Sequence, residues 1–536
     1  MKGLVVCPQP RAADVGAAIL NQGGTAFDAA IATAFAQMIV DPFMCGIGGM
    51  GSFQYYHSAT GENGMIDFHA TSGAKVTPEM WQNDMKGRTP ISGYSLFDDY
   101  RSELGYTSIM TPGTVAGFAE AHHRFGTMPW CDLLLPAIWM AREGFQVTSY
   151  VRDFFTQDFM EGIPDGMTRI TKTNACREIY IHPEDRFHDI GEIVKNPGYA
   201  DSLDALATDG PESFYTGALG KIIADDLAAN GAYVTAKDLA NYRPDCCAPV
   251  KGSYRGHPVS SNPPPGSGIS LIQMLQILEH FDLGSYDHGS APHLDLVARA
   301  MSAAHRDRNE YLADPVFTEV PAEMLTSRDR AAMWAEKIRK GEFLGDGKES
   351  PPSCTTHLSV YDETGNAVSC THTLGTGSGV VTPGTGFVYN NSMKLFDPIP
   401  GRANSMAPGK RRTTGMVPTI LFHDDGKPRI IVGAPGGSVI ISSVLQTILN
   451  IVDFGMSPIE AVTVPRIHCE GKGIYAEARV QSSEINKLRD YGHMVDHTPI
   501  SFDPVMSRAH AITVEQDGTY RGGADPRGGG GVAYSR

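Results

Sequence analysis

Apolar and polar positions change rhythm along the chain, and the change divides it. Two helix-length runs, 12–20 and 26–40, are parted by Gly23-Gly24. In the second, Asp28-Ala29-Ala30-Ile31-Ala32 is small and apolar around the helix, which predicts burial on most of its surface. Helical spacing returns after Thr111-Pro112-Gly113-Thr114, a cap candidate followed by Pro and small residues. It continues over 119–124, 131–143, 220–229, 236–242, 269–279 and 294–312. Between 340 and 353 the character shifts to a polar, Pro/Gly-rich stretch, Gly345-Asp346-Gly347-Lys348-Glu349-Ser350-Pro351-Pro352, the best linker candidate in the chain. Beyond it the period drops from 3.6 to 2. Residues 358–362 and 367–373 alternate and are joined by Thr364-Gly365-Asn366, a hairpin signal. Further strands are predicted at 386–389, 419–423 and 429–432, helices at 442–454 and 458–464, and then a strand–helix–strand tail ending at 528–531. Strands packed face to face with helices outside predict an α+β fold, a four-layer αββα sandwich.

Composition narrows the function classes. At 536 residues the chain exceeds a single ordinary core, so two structural parts or one large layered domain are expected. A formal net charge of −16, with no basic cluster interleaved with aromatics, argues against a nucleic-acid partner. No apolar segment is long enough for a membrane span, and the opening Met1-Lys2-Gly3-Leu4-Val5-Val6 run is too short for a signal-peptide core. Nine cysteines stand without metal-ligand spacing. Reduced thiols and a cytoplasmic location are expected, with neither a metal nor a cofactor.

The candidate chemistry gathers at Thr355-Thr356-His357-Leu358-Ser359-Val360, directly after the linker. A threonine hydroxyl in mid-chain is a poor nucleophile, since no neighbouring base takes its proton. Scission of the Cys354–Thr355 bond would give Thr355 a free α-amine, whose reference pKa of roughly 7.7–8.0 suits a base near neutral pH. Thr355 with its own amine would then be a nucleophile–base pair. On these residues alone, a strand with an exposed hydroxyl ladder explains Thr-Thr-His as readily.

Other stretches are ambiguous in the same way. Gly433-Ala434-Pro435-Gly436-Gly437-Ser438, between a strand and a helix, can present amides as an oxyanion hole or simply make a tight turn. Cys45-Gly46-Ile47-Gly48-Gly49-Met50-Gly51 lacks the Lys-Ser/Thr ending and the strand–Gly–helix order of a phosphate loop, so tight packing of a turn is expected. His357 and His372 fall on adjacent strands, where a satisfied cross-strand pair is more common than a metal site or a Ser/His triad.

Taken together and in order, these motifs resemble the γ-glutamyltransferase family of N-terminal-nucleophile (Ntn) hydrolases. The resemblance rests on Thr355-Thr356-His357, Gly365-Asn366-Ala367-Val368, Thr371-His372-Thr373-Leu374, Asn390-Asn391-Ser392-Met393, Met416-Val417-Pro418-Thr419 and Pro435-Gly436-Gly437-Ser438. In the first half it rests on Gly23-Gly24 with Asp28-Ala29-Ala30, Gly48-Gly49, the 111–117 motif, Tyr254-Arg255-Gly256 and Pro263-Pro264-Pro265, and near the end on Asp525-Pro526-Arg527. It covers nearly the whole chain. It implies a large subunit 1–354 and a small subunit 355–536, cut between Cys354 and Thr355, that stay associated, with a dimer of heterodimers as the expected assembly. Thr355 would be the processing residue and nucleophile, Thr373 would hold its hydroxyl, and Gly436 and Gly437 would supply the oxyanion amides.

The substrate positions depart from the family. The paired serines before Met416 read Thr414-Gly415, so one hydroxyl remains. The carboxylate-binding Arg is His69, and the Asn expected after Thr373-Leu374 falls on Gly375, three residues after His372, which is also expected to contact substrate. The acid that should follow Asn-Asn-x-Met is replaced by Lys394-Leu395. A glutamyl head group needs an anion for its ammonium, and a broken buried pair costs roughly 3–5 kcal/mol, so γ-glutamyl compounds are expected to be poor substrates. His69, Lys394 and Arg411 or Arg412 would leave a cationic pocket suited to an amide of a small carboxylate without an α-amine, as in the oxamate-amidohydrolase branch. The alternatives are a true γ-glutamyltransferase/glutathione hydrolase and a catalytically silent relative acting as a binding protein.

Overall fold

The computed structural model of the chain describes residues 2–88, 95–156, 163–342, 355–471 and 473–536. The expected linker at 345–352 and Cys354 of the expected cleavage site lie outside the described residues.

Strands from both halves of the chain build the centre. Before Thr355 come β1 (Gly3–Cys7), β2 (Met50–His57), β3 (Glu62–Phe68), β4 (Asp245–Cys247), β5 (Val250–Tyr254) and β6 (His257–Ser261). After it come β7 (Thr356–Asp362), β8 (Ala367–Thr373), β9 (Thr419–Phe422), β10 (Pro428–Gly433), β11 (His510–Val514), β12 (Tyr520–Ala524) and β13 (Gly531–Tyr534). One sheet runs β4-β3-β2-β8-β7-β1-β13 and the other β5-β6-β9-β10-β11-β12. Neighbours are antiparallel throughout, and the β7–β8 hairpin sits mid-sheet between β1 and β2.

Helices close both outer faces. On the first sheet lie α1 (Pro10–Asn21), α2 (Ala26–Val40), α3 (Thr114–Phe125) and α4 (Trp130–Glu143), sharing one core with Val5, Phe53, Leu358 and Val360. On the second lie α5 (Gly268–Leu278), α6 (Ala291–Tyr311) and α7 (Val439–Val452), packed with Val259, Leu421 and Val432. The expected αββα sandwich is the observed fold. Helix α2 is buried from Ala26 to Ile39, as its all-round apolar pattern predicts, and a Thr25–Asp28 capping box fixes its start. Each fully buried Leu, Ile or Phe side chain in these layers contributes about 1.5–3 kcal/mol.

The period-2 alternation of β7 and β8 has a different outcome from a half-solvated strand, because both faces are covered. Leu358 and Val360 point to the helices, while Ser359 and His357 point between the sheets and are buried with their hydrogen bonds made. Ser369 Oγ, on β8, donates to the Val432 carbonyl at 2.9 Å. At the other end of the interface Leu4, Val6, Ile420, Ile431 and Ile512 form a small dry core. No strand forms at 386–389. Gly384 and Gly386 take left-handed φ of 84° and 75°, and Tyr389 makes a single bridge to Gly48. The Gly48-Gly49 turn packs as tightly as expected, since a Cβ on Gly49 would sit 2.5 Å from the Thr373 carbonyl oxygen. No helix among the described residues is long and apolar enough to cross a membrane.

Because β1 lies between β7 and β13 while β7 and β8 lie between β1 and β2, neither half can complete a sheet alone. Polypeptides 1–354 and 355–536 made together from separate messages should copurify as one folded particle under native conditions, and each alone should be insoluble or unfolded by circular dichroism. Two independently folded fragments would contradict this interleaving.

Candidate active site

Thr355 immediately precedes β7 and faces Thr373, the last residue of β8, one step beyond the Thr356–His372 pair. It is 2% exposed, and its hydroxyl donates to Thr373 Oγ1 at 3.2 Å. Thr373 Oγ1 also accepts from the Gly375 amide at 2.8 Å, which fixes the acceptor. Gly375 turns the chain there with φ 76°, and a Cβ on it would lie 2.2 Å from Asn391 Oδ1. Asn391 holds the same turn, accepting from the Thr376 amide at 3.0 Å and donating to Thr376 Oγ1 at 2.7 Å. A side chain at 375 is thus excluded by the group that orders the loop.

Polar side chains clamp the start of β7 from the helical side. Gln9 and Gln37 each reach Thr356 Oγ1 at 3.1 Å, and Gln37 also donates to the His357 carbonyl at 3.2 Å. Arg508 donates to the Thr355 carbonyl at 3.3 Å with its guanidinium stacked on Tyr150. Asp41 is buried nearby: burial lifts its carboxyl to about 6, with Arg508 and the Gln9 hydrogen bond pulling the other way.

Thr355 and Thr373 open onto a cavity of about 500 Å³, whose wall also carries Gly437, Thr414, Gly415 and Lys394. Gly436 and Gly437 take positive φ of 132° and 65° directly before α7, where backbone amides point outward at the positive end of a helix. Gly415 lies against this loop, and a Cβ there would meet the Gly437 carbonyl oxygen at 2.0 Å. The Gly436-Gly437 loop thus leaves no room for a side chain at 415. Gly436 is not among the lining residues, and its Cα faces Ser507.

Charge in the cavity comes largely from residues that carry no motif. Arg88, Arg308, Arg402, Arg412 and Lys394 line it, against Asp397 and Glu310. Arg88 and Arg402 both pair with Asp397, at 3.0 and 2.8 Å. Lys394 Nζ lies 2.6 Å from Glu103 Oε1, and Arg169 contacts the other Glu103 oxygen at 3.3 Å. Burial would raise the Glu103 carboxyl, but Lys394 and Arg169 overcome this and hold it below the usual range. Leu395, beside Lys394, lines the cavity with an apolar side chain.

Three expected substrate contacts, His69, His372 and Gly375, are not among the residues that line the cavity. His69 is buried outside the cavity lining, with Nδ1 on Asp67 Oδ1, and Asp67 in turn pairs with Arg411 at 3.0 Å. Arg411 also meets Asp314 at 3.0 Å, so of the two neighbouring arginines it is Arg412 that reaches the cavity. Burial opposes the Arg411 charge, but Asp314 and Asp67 more than offset it. His372 faces the helical layer and its Nε2 donates to Gln37 Oε1 at 2.9 Å, with burial pushing its pKa down to about 3. His357 points to the opposite face of the hairpin, bonded to Thr371 and Ser359, so the two imidazoles do not form a cross-strand pair.

Glu103, Arg169, Arg88 and Arg308 were missed by sequence reasoning. Each belongs to a segment with no motif, and only the folded chain brings them within reach of Lys394 or Thr355. Arg308, one turn past His305 on α6, falls on a face that periodicity marks only as polar.

The comparisons with known proteins agree with this geometry. A family model described as gamma-glutamyltranspeptidase matches residues 12–535. The acylase ACY 1 proenzyme of Pseudomonas sp. (strain V22) is 37% identical over 533 residues, covering 98% of this chain and 92% of that protein. The glutathione hydrolase proenzyme of Bacillus subtilis (strain 168) is 34% identical over 549 residues, covering 98% and 90%. Among solved structures, a cephalosporin acylase from Bacillus halodurans aligns with a TM-score of 0.88 at 28% identity, over 99% of this chain and 95% of that one. Helicobacter pylori gamma-glutamyltranspeptidase aligns with a TM-score of 0.55 at 30% identity, over 62% and 90%.

The contact between Gly415 and Gly437 gives a direct test. Gly415→Ala should displace the loop and lower kcat on any amide substrate by about 10²–10³, the usual cost of a lost oxyanion donor, with KM changed far less. Steady-state kinetics of the folded variant at the parent kcat would contradict that arrangement.

Proposed function

This chain belongs to the gamma-glutamyltranspeptidase family and is an autoprocessed N-terminal-nucleophile amidohydrolase; we propose that its substrates are amides whose acyl group carries a carboxylate and no α-amine. Once the Cys354–Thr355 bond is cut, the freed α-amine takes the proton of the Thr355 hydroxyl as its oxygen attacks the amide carbon. Thr373 holds that oxygen in place, and the Gly436 and Gly437 amides stabilise the tetrahedral oxyanion. The C–N bond breaks as the amine returns the proton to the leaving nitrogen, leaving an acyl-Thr355 ester. Water, or an amine if one binds, then attacks the ester and regenerates the hydroxyl. Large and small subunits act as one heterodimer whose shared sheets hold the site.

The observation that carries the substrate reading is the charge of the cavity lining, five cations against two carboxylates among the described residues. One of those carboxylates, Asp397, is engaged by Arg88 and Arg402, and the other, Glu310, is exposed. A carboxylate entering here meets guanidinium groups in a partly dried site, where charge-assisted hydrogen bonds are strongest. An α-ammonium meets Leu395 and Lys394 where it would need an acid. A cytoplasmic location is part of the same proposal, supported by the free thiols of the eight described cysteines.

Paired chromogenic substrates separate this reading from a glutathione-hydrolase activity. Glutaryl p-nitroanilide should be cleaved with kcat/KM at least about tenfold above γ-glutamyl p-nitroanilide, a difference of about 1.4 kcal/mol in transition-state binding. Equal rates, or a preference for the γ-glutamyl anilide, would overturn it.

A further inference from the structure

Behind the oxyanion loop, three residues far apart in sequence converge. His305 comes from α6, and His468 with Glu470 comes from the short strand Ile467–Cys469 and the residue after it. Their donor atoms all lie within 4.8 Å of one another. His468 Nε2 is 3.1 Å from Glu470 Oε1, and His305 Nδ1 is 4.0 Å from Glu470 Oε2. All three are buried, at 0%, 2% and 1% exposure. We propose that His305, His468 and Glu470 form a structural divalent-cation site of the kind that takes Zn²⁺, directly behind the oxyanion loop.

Four features carry it. First, both ring nitrogens of His305 are buried with no hydrogen-bond partner, an arrangement that is costly for an imidazole and that a bound cation would relieve at one of them. Second, two imidazoles and a carboxylate offer three ligand atoms of the type zinc selects, one from each residue. Ligands at about 2.0–2.1 Å around a tetrahedral ion stand about 3.4 Å apart, between the two separations observed here. Third, Nδ1 of His468 is held by Ser442 Oγ at 2.7 Å, the usual support for a metal-bound imidazole, and its Nε2 hydrogen-bonds Glu470 Oε1 at 3.1 Å, a contact that an ion between the two would replace. Fourth, all three residues are buried and none lines the cavity, so the ion would be structural rather than catalytic.

The site has a consequence for the catalytic loop. Glu470 also accepts the hydroxyl hydrogen of Ser438, the residue after Gly436-Gly437 and one that lines the cavity. A cation on Glu470 therefore ties the end of the oxyanion loop to α6, the helix that brings Arg308 to the same cavity.

The test is metal analysis of the full chain, made without a histidine tag in zinc-supplemented medium and dialysed exhaustively. About one zinc per chain is expected, with His305→Gln and His468→Gln each lowering it at least about tenfold. Cobalt exchanged into the parent protein should give the intense visible bands of a tetrahedral site, a readout that stands even if a variant fails to fold. Zinc below about one-tenth per chain in the parent, absence of those cobalt bands, or zinc retained by both folded variants would overturn the site. The first of these outcomes would assign a buried water to His305.

Discussion

The pairing of β7 with β8 in the middle of a sheet is the constraint from which the site follows. It sets Thr355 against Thr373 at 3.2 Å, and the Gly375 amide fixes Thr373 from the far side. A nucleophile at the first residue before a strand has its backbone nitrogen at the strand's open end and its side chain already positioned by the neighbouring strand. Those two conditions are what an N-terminal nucleophile requires: the amine must become free, and the hydroxyl must not move when it does. The neighbours of the hairpin, β1 and β2, belong to the other half of the chain, so the half that carries the nucleophile depends on the half that is cut from it.

Around that fixed point the charges are arranged in two tiers. Lys394, Arg88, Arg402, Arg308 and Arg412 face the cavity. Beneath them Glu103 anchors Lys394, and to one side Asp67 and Asp314 engage Arg411. The side tier explains the departure at His69. Asp67 binds both His69 and Arg411, so this corner is an internal ion cluster outside the cavity wall. Burial raises the cost of any unmatched charge, which makes the matching inside the protein tight. The lining keeps its cationic bias for a ligand.

Much of this was legible in the sequence where one local rule acts alone. The all-round apolar α2, the Thr364-Gly365-Asn366 hairpin and the Gly pair before α7 each follow from a single local signal, and each is where the pattern put it. The αββα layering followed from the switch of period. The strand at 386–389 failed because left-handed glycines override an apolar run. His357 and His372 failed as a pair because one-residue offset on adjacent strands sends side chains to opposite faces. The cationic lining was only half legible. Lys394 and Arg412 sit in or next to recognisable motifs, whereas Arg88 and Arg308 reach the cavity through tertiary packing that no local pattern encodes. The same holds for His305, His468 and Glu470, whose separation in sequence hides a ligand set.

The central claim is that scission at its own peptide bond gives one hydroxyl its base. Intact-mass and N-terminal analysis of the purified parent and of Thr355→Ala tests it most directly. The parent should yield two polypeptides, the second beginning at Thr355, and should turn over amide; Thr355→Ala should remain a single chain without turnover. A Thr355→Ala protein that still splits at this bond, or that hydrolyses amide at the parent rate, would contradict it.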